Sequence, residues 1–137
     1  MTGSNILLDT NIVNELFKGN EAIIANLEDR DMVDIPYVVL GELFLGAYRS
    51  TNLKKHKSEI SSFLKRCNVI GADAKTSYTY GMIKAELLEK GKPIPENDIW
   101  IAAVAKQYGY TLVTRDKHFN EVNGLRVVNW FQNIQIF

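Results

Sequence analysis

In residues 97–116, NDIWIAAVAKQYGYTLVTRD, the residue pattern switches from helical to extended at a single glycine. Ile99, Ala102, Ala103 and Lys106 follow three- and four-residue spacing, which predicts a helix, and Gly109 predicts its C-terminal stop. TLVT (111–114) is a short aliphatic run of the kind that forms a buried strand. A helix feeding directly into a strand is half of a βαβ unit, so this stretch predicts a parallel sheet. The run ends on an acid, Asp116.

Four more short runs repeat the theme: ILLD (6–9), MVDIPY (32–37), NVIG (68–71) and LRVVNW (125–130). Their apolar centres are continuous rather than alternating, as expected for strands covered on both faces. Helical stripes separate them: Ile12, Leu16 and Phe17; Ile23, Ile24 and Leu27; Val39, Leu40, Leu43, Phe44 and Ala47; Ile60, Phe63 and Leu64; and Tyr80, Ile83, Leu87 and Leu88. GKPIPEND (91–98) is the clearest loop, because its two prolines stop one helix and lead into the next. The expected architecture is α/β with about five parallel strands and right-handed crossovers, as a single domain over residues 1–137. At 46% hydrophobic residues, a chain of 137 can bury roughly two-thirds of its unfolded surface.

The 16 basic residues balance the 16 acidic ones, so no global field announces a nucleic-acid or membrane partner. The signs are nevertheless segregated. The first 42 residues carry Asp9, Glu15, Glu21, Glu28, Asp29, Asp31, Asp34 and Glu42 against Lys18 and Arg30; residues 49–66 carry Arg49, Lys54, Lys55, Lys57, Lys65 and Arg66 against Glu59. A run of that kind usually forms a solvated helix face. Cys67 is the only cysteine, which excludes an internal disulfide and a Cys-based zinc site and fits a reducing compartment. No apolar run approaches the ~20 residues of a membrane span, so the expectation is a cytoplasmic protein.

In an open parallel sheet, ligands bind beyond the carboxyl ends of the strands. Asp9 and Asp116 each follow such an end, which puts both at one edge of the sheet. Each also has an ordinary reading as a helix or turn cap. Glu42 is harder to explain structurally: its helical neighbours Val38, Val39, Leu45 and Gly46 do not make a polar face. Asp98 falls in the first turn of its helix, where the dipole favours an anion.

Four acids in one cleft need a cation. Two carboxylates about 4 Å apart repel by roughly 4 kcal/mol at an effective dielectric near 20. Arg115 and Lys117 are the only nearby basic candidates, and all-oxygen ligands select a hard ion such as Mg²⁺ or Mn²⁺. Phosphodiester hydrolysis by metal-activated water is the chemistry that uses such a set. His118 reads as part of a packed turn with Phe119 rather than as a base, His56 as a solvated surface residue, and Trp100 and Trp130 as core or dimer anchors. Tyr48, Tyr78 and Tyr80 read first as packing residues, and secondarily as platforms for stacked bases.

Taken together, LLDTNIV (7–13), VVLGELFLGAYRS (38–50), the segment 93–122 that opens PIPEND, and LRVVNW resemble the PIN-domain ribonucleases, specifically the VapC-type toxins of toxin–antitoxin pairs. The resemblance spans nearly the whole chain and rests on the order and spacing of these segments. It implies a three-layer α/β/α sandwich with Asp9, Glu42, Asp98 and Asp116 as the catalytic acids and Mg²⁺ or Mn²⁺ as cofactor. It assigns metal ligation to Asp9 and Asp98, and makes Thr10 and Thr114 hydroxyls that support the acids from behind. It also implies an RNA substrate, a structured RNA such as transfer RNA, a homodimer, and a small VapB-like antitoxin across the acidic groove. Arg49, Lys54, Lys55, Lys57 and Arg115 are then candidates for RNA phosphates.

Three other α/β readings fail on residues. A haloacid-dehalogenase phosphatase needs an Asp where Asn11 stands, a receiver domain needs a phospho-accepting Asp after NVIG, and a nucleotide binder needs glycines that DTNIVN lacks. A non-catalytic module whose acidic groove binds a partner protein is the remaining rival.

Overall fold

The computed structural model describes residues 5–132, so residues 1–4 and 133–137 of the expected domain lie outside the described part. All five expected strands form, and they pair in parallel throughout. They are β1 (Ile6–Leu8), β2 (Val33–Pro36), β3 (Cys67–Ile70), β4 (Thr111–Val113) and β5 (Arg126–Val128), in the spatial order β3-β2-β1-β4-β5. Between them run α1 (Thr10–Phe17), α2 (Glu21–Leu27), α3 (Tyr37–Arg49), α4 (Leu53–Leu64), α5 (Ala74–Lys90) and α6 (Glu96–Tyr108).

Successive strand residues point to opposite faces, and Leu7 and Leu8 in β1 and Leu112 and Val113 in β4 are all 0% exposed. Helices therefore cover both faces of the sheet, which gives the expected α/β/α sandwich. The expectation of two-sided cover fails at the edges. Asn68 and Val69 in β3 and Arg126 and Val128 in β5 are exposed, because an edge strand has one neighbour and less helix above it. Polar Asn68 and Arg126 at these edges also discourage strand addition by another chain.

The glycine expected to end α6 does so: Gly109 has φ +74 and its amide hydrogen-bonds back into the last turn. α6 begins at Glu96, inside the stretch expected to be loop, with Asp98 in its first turn as expected. Cys67 and Trp130 are buried, and burial pushes the Cys67 thiol up to about 12. Trp100 stacks on Tyr80 with ring centroids 4.0 Å apart, tying α6 to α5. Tyr48 and Tyr78, in contrast, are well exposed.

The strand order changes direction at β1. Chain succession leads from β1 outward to β2 and β3 on one side; the next strand returns to the other side, where β4 pairs with β1 in the register Leu7 to Leu112 and Leu8 to Val113. That β1/β4 seam is the switch point of the sheet, where a crevice opens beyond the strand ends. Asp9 and Thr114 are the first residues past it.

Candidate active site

Asp9 sits at the floor of this crevice and is 3% exposed. Its amide continues the sheet ladder to the Val113 carbonyl at 3.0 Å, and its side chain caps α1 through the Thr10 amide at 2.8 Å. The ordinary reading of Asp9 as a cap is thus correct, and the same side chain lines the crevice. Its second oxygen accepts the Thr114 hydroxyl at 2.8 Å and the Asn11 carboxamide at 3.2 Å. Burial pushes the Asp9 carboxyl up to about 6, against the lowering effect of these donors, and the charges of Asp98 and Asp116 push the same way.

The cap reading fails for Asp116. It stands at the N-cap position of the 3-10 turn Lys117–Glu121, yet its side chain makes no cap bond. Its amide is held instead by the Thr114 hydroxyl at 3.0 Å, and a carboxylate oxygen accepts from Asn11 at 3.3 Å. Asp98 comes in from the first turn of α6 with a side chain only 13% exposed. Burial pushes its carboxyl up, while His118 pulls it down and the charges of Glu42 and Asp116 add to the rise. Glu42 arrives from α3: one oxygen accepts the Thr10 hydroxyl at 2.5 Å, the other the Asn97 carboxamide at 3.3 Å.

The four predicted acids therefore meet at one mouth, with the Thr114 hydroxyl on Asp9 and the Thr10 hydroxyl on Glu42. Among the described residues, however, the set of ligand atoms that gathers within 4.8 Å belongs to Asp98, Asp116 and His118. Asp9 is outside that set, and its oxygens accept from Thr10, Asn11 and Thr114.

His118, which the sequence suggested would simply pack in its turn, reaches Asp98 with Nε2 at 2.5 Å from Oδ2 while its ring rests against Phe119. The 3-10 turn carries His118 across to Asp98 in the first turn of α6, a contact between two elements that the spacing of Asp116, His118 and Phe119 does not encode. Asn11 and Asn97 were also missed as site residues; each lies one or two positions from a predicted acid.

Among the described residues no Lys or Arg forms an ion pair with any of the four acids. Arg115 lies over the Phe131 ring, 4.8 Å from its centroid, rather than on a carboxylate. Carboxylates with one imidazole are a donor set that suits a hard divalent cation such as Mg²⁺ or, better, Mn²⁺.

The raised Asp9 carboxyl has a measurable consequence for the metal-free protein. A folded-state value above the ordinary 3.8 means the native state binds the extra proton, so this group adds stability as pH falls through about 6. Between pH 7 and pH 5 the gain is about 1 kcal/mol, or about 3 °C in melting temperature. Thermal melts in EDTA should show this rise, and Asp9→Asn should flatten it; a wild-type melting temperature that only falls on acidification would contradict the burial of the charge.

A family model described as the PIN domain matches residues 6–125. Ribonuclease VapC2 of Haemophilus influenzae is 35% identical over 127 residues, covering 90% of this chain and 96% of the relative. The tRNA(fMet)-specific endonuclease VapC of Shigella flexneri is 34% identical over 128 residues with the same coverage. In structure, VapBC2 from Rickettsia felis bound to a DNA fragment from its promoter superposes with a TM-score of 0.86 at 32% identity, over 91% of this chain and 98% of that one. DNA-bound VapBC from Salmonella typhimurium gives 0.86 at 28% identity, over 92% and 98%. With the fold, the spacing of the acids and these likenesses in agreement, the chain belongs to the PIN-domain family, on its VapC branch.

Proposed function

We propose that this chain is a Mg²⁺- or Mn²⁺-dependent endoribonuclease that acts, as one domain in the cytoplasm, as the toxin of a toxin–antitoxin pair. The observation that carries this reading is the convergence of Glu42, Asp98, Asp116 and His118 over the buried Asp9, with no Lys or Arg among the described residues to neutralise them.

When bound, such an ion supplies Lewis acidity toward a phosphate oxygen and a lowered pKa for attacking water. Asp98 and Asp116, with His118 beside them, would hold it, and Asp9 would add its charge from below. Glu42, fixed by Thr10 and Asn97, is the acid left to orient the attacking water and accept its proton. The water oxygen forms the new bond to phosphorus, the bond to the leaving ribose oxygen breaks, and that oxygen takes up a proton.

Arg49, Lys54, Lys55, Lys57 and Arg115 are all exposed, which suits contacts with RNA phosphates, and Lys57 lies 5.8 Å from the centre of the exposed Tyr48 ring. The transfer-RNA specificity in the name of the Shigella flexneri relative supports a structured RNA, transfer RNA among them. The VapBC complexes support a small VapB-like antitoxin as partner. A groove lined by Phe17, Glu42, Gly46, Ala47, His56 and Ile60 gives that partner a path to the acids, and exposed Tyr37, Leu45 and Tyr48 on α3 suit a homodimer face. No helix among the described residues is long and apolar enough to cross a membrane.

The reading is tested by incubating purified protein with a panel of structured RNAs, total transfer RNA included, in Mn²⁺ or Mg²⁺. Discrete fragments that disappear in EDTA are the expected result. Intact RNA throughout, together with no heat of Mn²⁺ binding, would hand the site to the rival reading of a non-catalytic module that binds a partner protein.

A further inference from the structure

We propose that Asn11 is a positioning residue, whose carboxamide holds the Asp9 and Asp116 carboxylates at a working separation and offsets their repulsion. The inference rests on the metal-dependent reading above and deepens it. The Asn11 Nδ2 lies 3.2 Å from Asp9 Oδ2, 3.2 Å from the Thr114 hydroxyl and 3.3 Å from Asp116 Oδ2. At the other end of the same group, Oδ1 accepts the Arg115 amide at 3.3 Å. Among the described residues, Asn11 is the side chain that hydrogen-bonds both carboxylates.

The chemistry of a carboxamide fits that position. It has two N–H hydrogens and a carbonyl in one plane, so it donates toward two anions while its oxygen is tethered to the backbone of the loop that carries Asp116. It brings no charge of its own, so it offsets the repulsion without competing with a cation as Lys or Arg would. Three acceptors share two hydrogens, in keeping with distances at the long end of the hydrogen-bond range. Its backbone belongs to the first turn of α1, which Asp9 caps, so the group that spaces the acids is mounted on a rigid element. Thr114 supports Asp9 by its hydroxyl but touches only the amide of Asp116, and so cannot set the distance between the carboxylates.

The test uses the full chain with Asn11→Ala and Asn11→Asp. Mn²⁺ affinity is read by calorimetry, folding by melts in EDTA, and kcat and KM on an RNA that the wild type cuts. Asn11→Ala is expected to melt close to the wild type, bind Mn²⁺ about tenfold more weakly and lose about thirtyfold in kcat with KM unchanged. Asn11→Asp keeps the shape, loses the donor and adds an acid; its kcat should fall as far as that of Asn11→Ala even though the extra carboxylate can sustain Mn²⁺ binding. Wild-type kcat in Asn11→Asp would make Asn11 a space-filler and overturn the inference, as would wild-type affinity and kcat in Asn11→Ala. A wild type that binds no Mn²⁺ would remove the metal reading and this inference together, whereas tight wild-type binding with unaltered variants would sink the inference alone.

Discussion

Replacing Asp98 with asparagine is expected to lower RNA cleavage about a thousandfold and leave the fold intact. The substitution preserves shape and removes one negative charge from the group in which Asp98, Asp116 and His118 place their ligand atoms within 4.8 Å of one another. A residue that only orients a metal ligand costs about ten- to a hundredfold when removed, and one that faces the ion itself costs more. Stability should move the other way. Burial holds the Asp98 carboxyl above its ordinary range, so the metal-free protein carries a charge it would fold more readily without. The Asp98→Asn variant should therefore give a metal-free melting temperature equal to or above that of the wild type, and Mn²⁺ is expected to raise the melting temperature of the wild type but not that of the variant. Fragment yield over time on one RNA, paired with melts with and without Mn²⁺, separates loss of chemistry from loss of folding. Cleavage within about threefold of the wild type would remove Asp98 from the site.

The second large effect is on stability. Phe119 is fully buried, 0% exposed, in the 3-10 turn that begins one residue after Asp116. Its ring is the anchor by which that short turn is bound to the core, since the neighbouring Arg115, Lys117 and Asn120 are exposed. Truncating it to alanine removes a large apolar group from a packed site and leaves a cavity, at a cost of about 3–5 kcal/mol. Against the roughly 5–15 kcal/mol that separates a folded domain of ordinary stability from its unfolded chain, that loss is severe. Denaturant unfolding in EDTA should show it as a lower midpoint. Phe119→Leu, which refills most of the space, should recover more than half of the difference. Because Asp116 and His118 ride on the same turn, Mn²⁺ affinity should weaken along with stability in Phe119→Ala. A loss below about 1 kcal/mol would mean that the turn is held by something other than its aromatic anchor.

The fold was legible to a large degree. The five aliphatic runs all became strands, and the helical stripes turned inward at Ile12, Ile23, Leu27, Val39, Leu43, Ala47, Ile60, Phe63, Ile83 and Leu87, because these periods express a buried face, whereas Ile24 and Leu88 at the margins of their stripes stay exposed. Edge strands were the exception: the apolar centre of NVIG looked buried on both sides, and its exposure depends on being the outermost strand. In the site, position after a strand singled out Asp9 and Asp116 and helical surroundings singled out Glu42 and Asp98, whereas the two threonines came only from the family resemblance. His118, Asn11 and Asn97 were not readable, since a side chain's partner across the crevice lies 20, 105 and 55 residues away in the chain.

Local chemistry thus determined which segments are helices and strands, that the sheet is parallel, and that Asp9 and Asp116 leave it at the same edge. The order β3-β2-β1-β4-β5 was decided only by tertiary structure, because pairing of distant strands depends on how their faces pack together and not on any one run. That order sets β4 beside β1, and this seam brings together a carboxylate from residue 9 and one from residue 116. Which oxygen of Asp9 is spent on Thr10 and which on Thr114, that Asp116 keeps its side chain free of a cap, and that an imidazole joins Asp98 all follow from register and turn geometry. These are matters of ångströms, and a sequence period specifies faces, not ångströms.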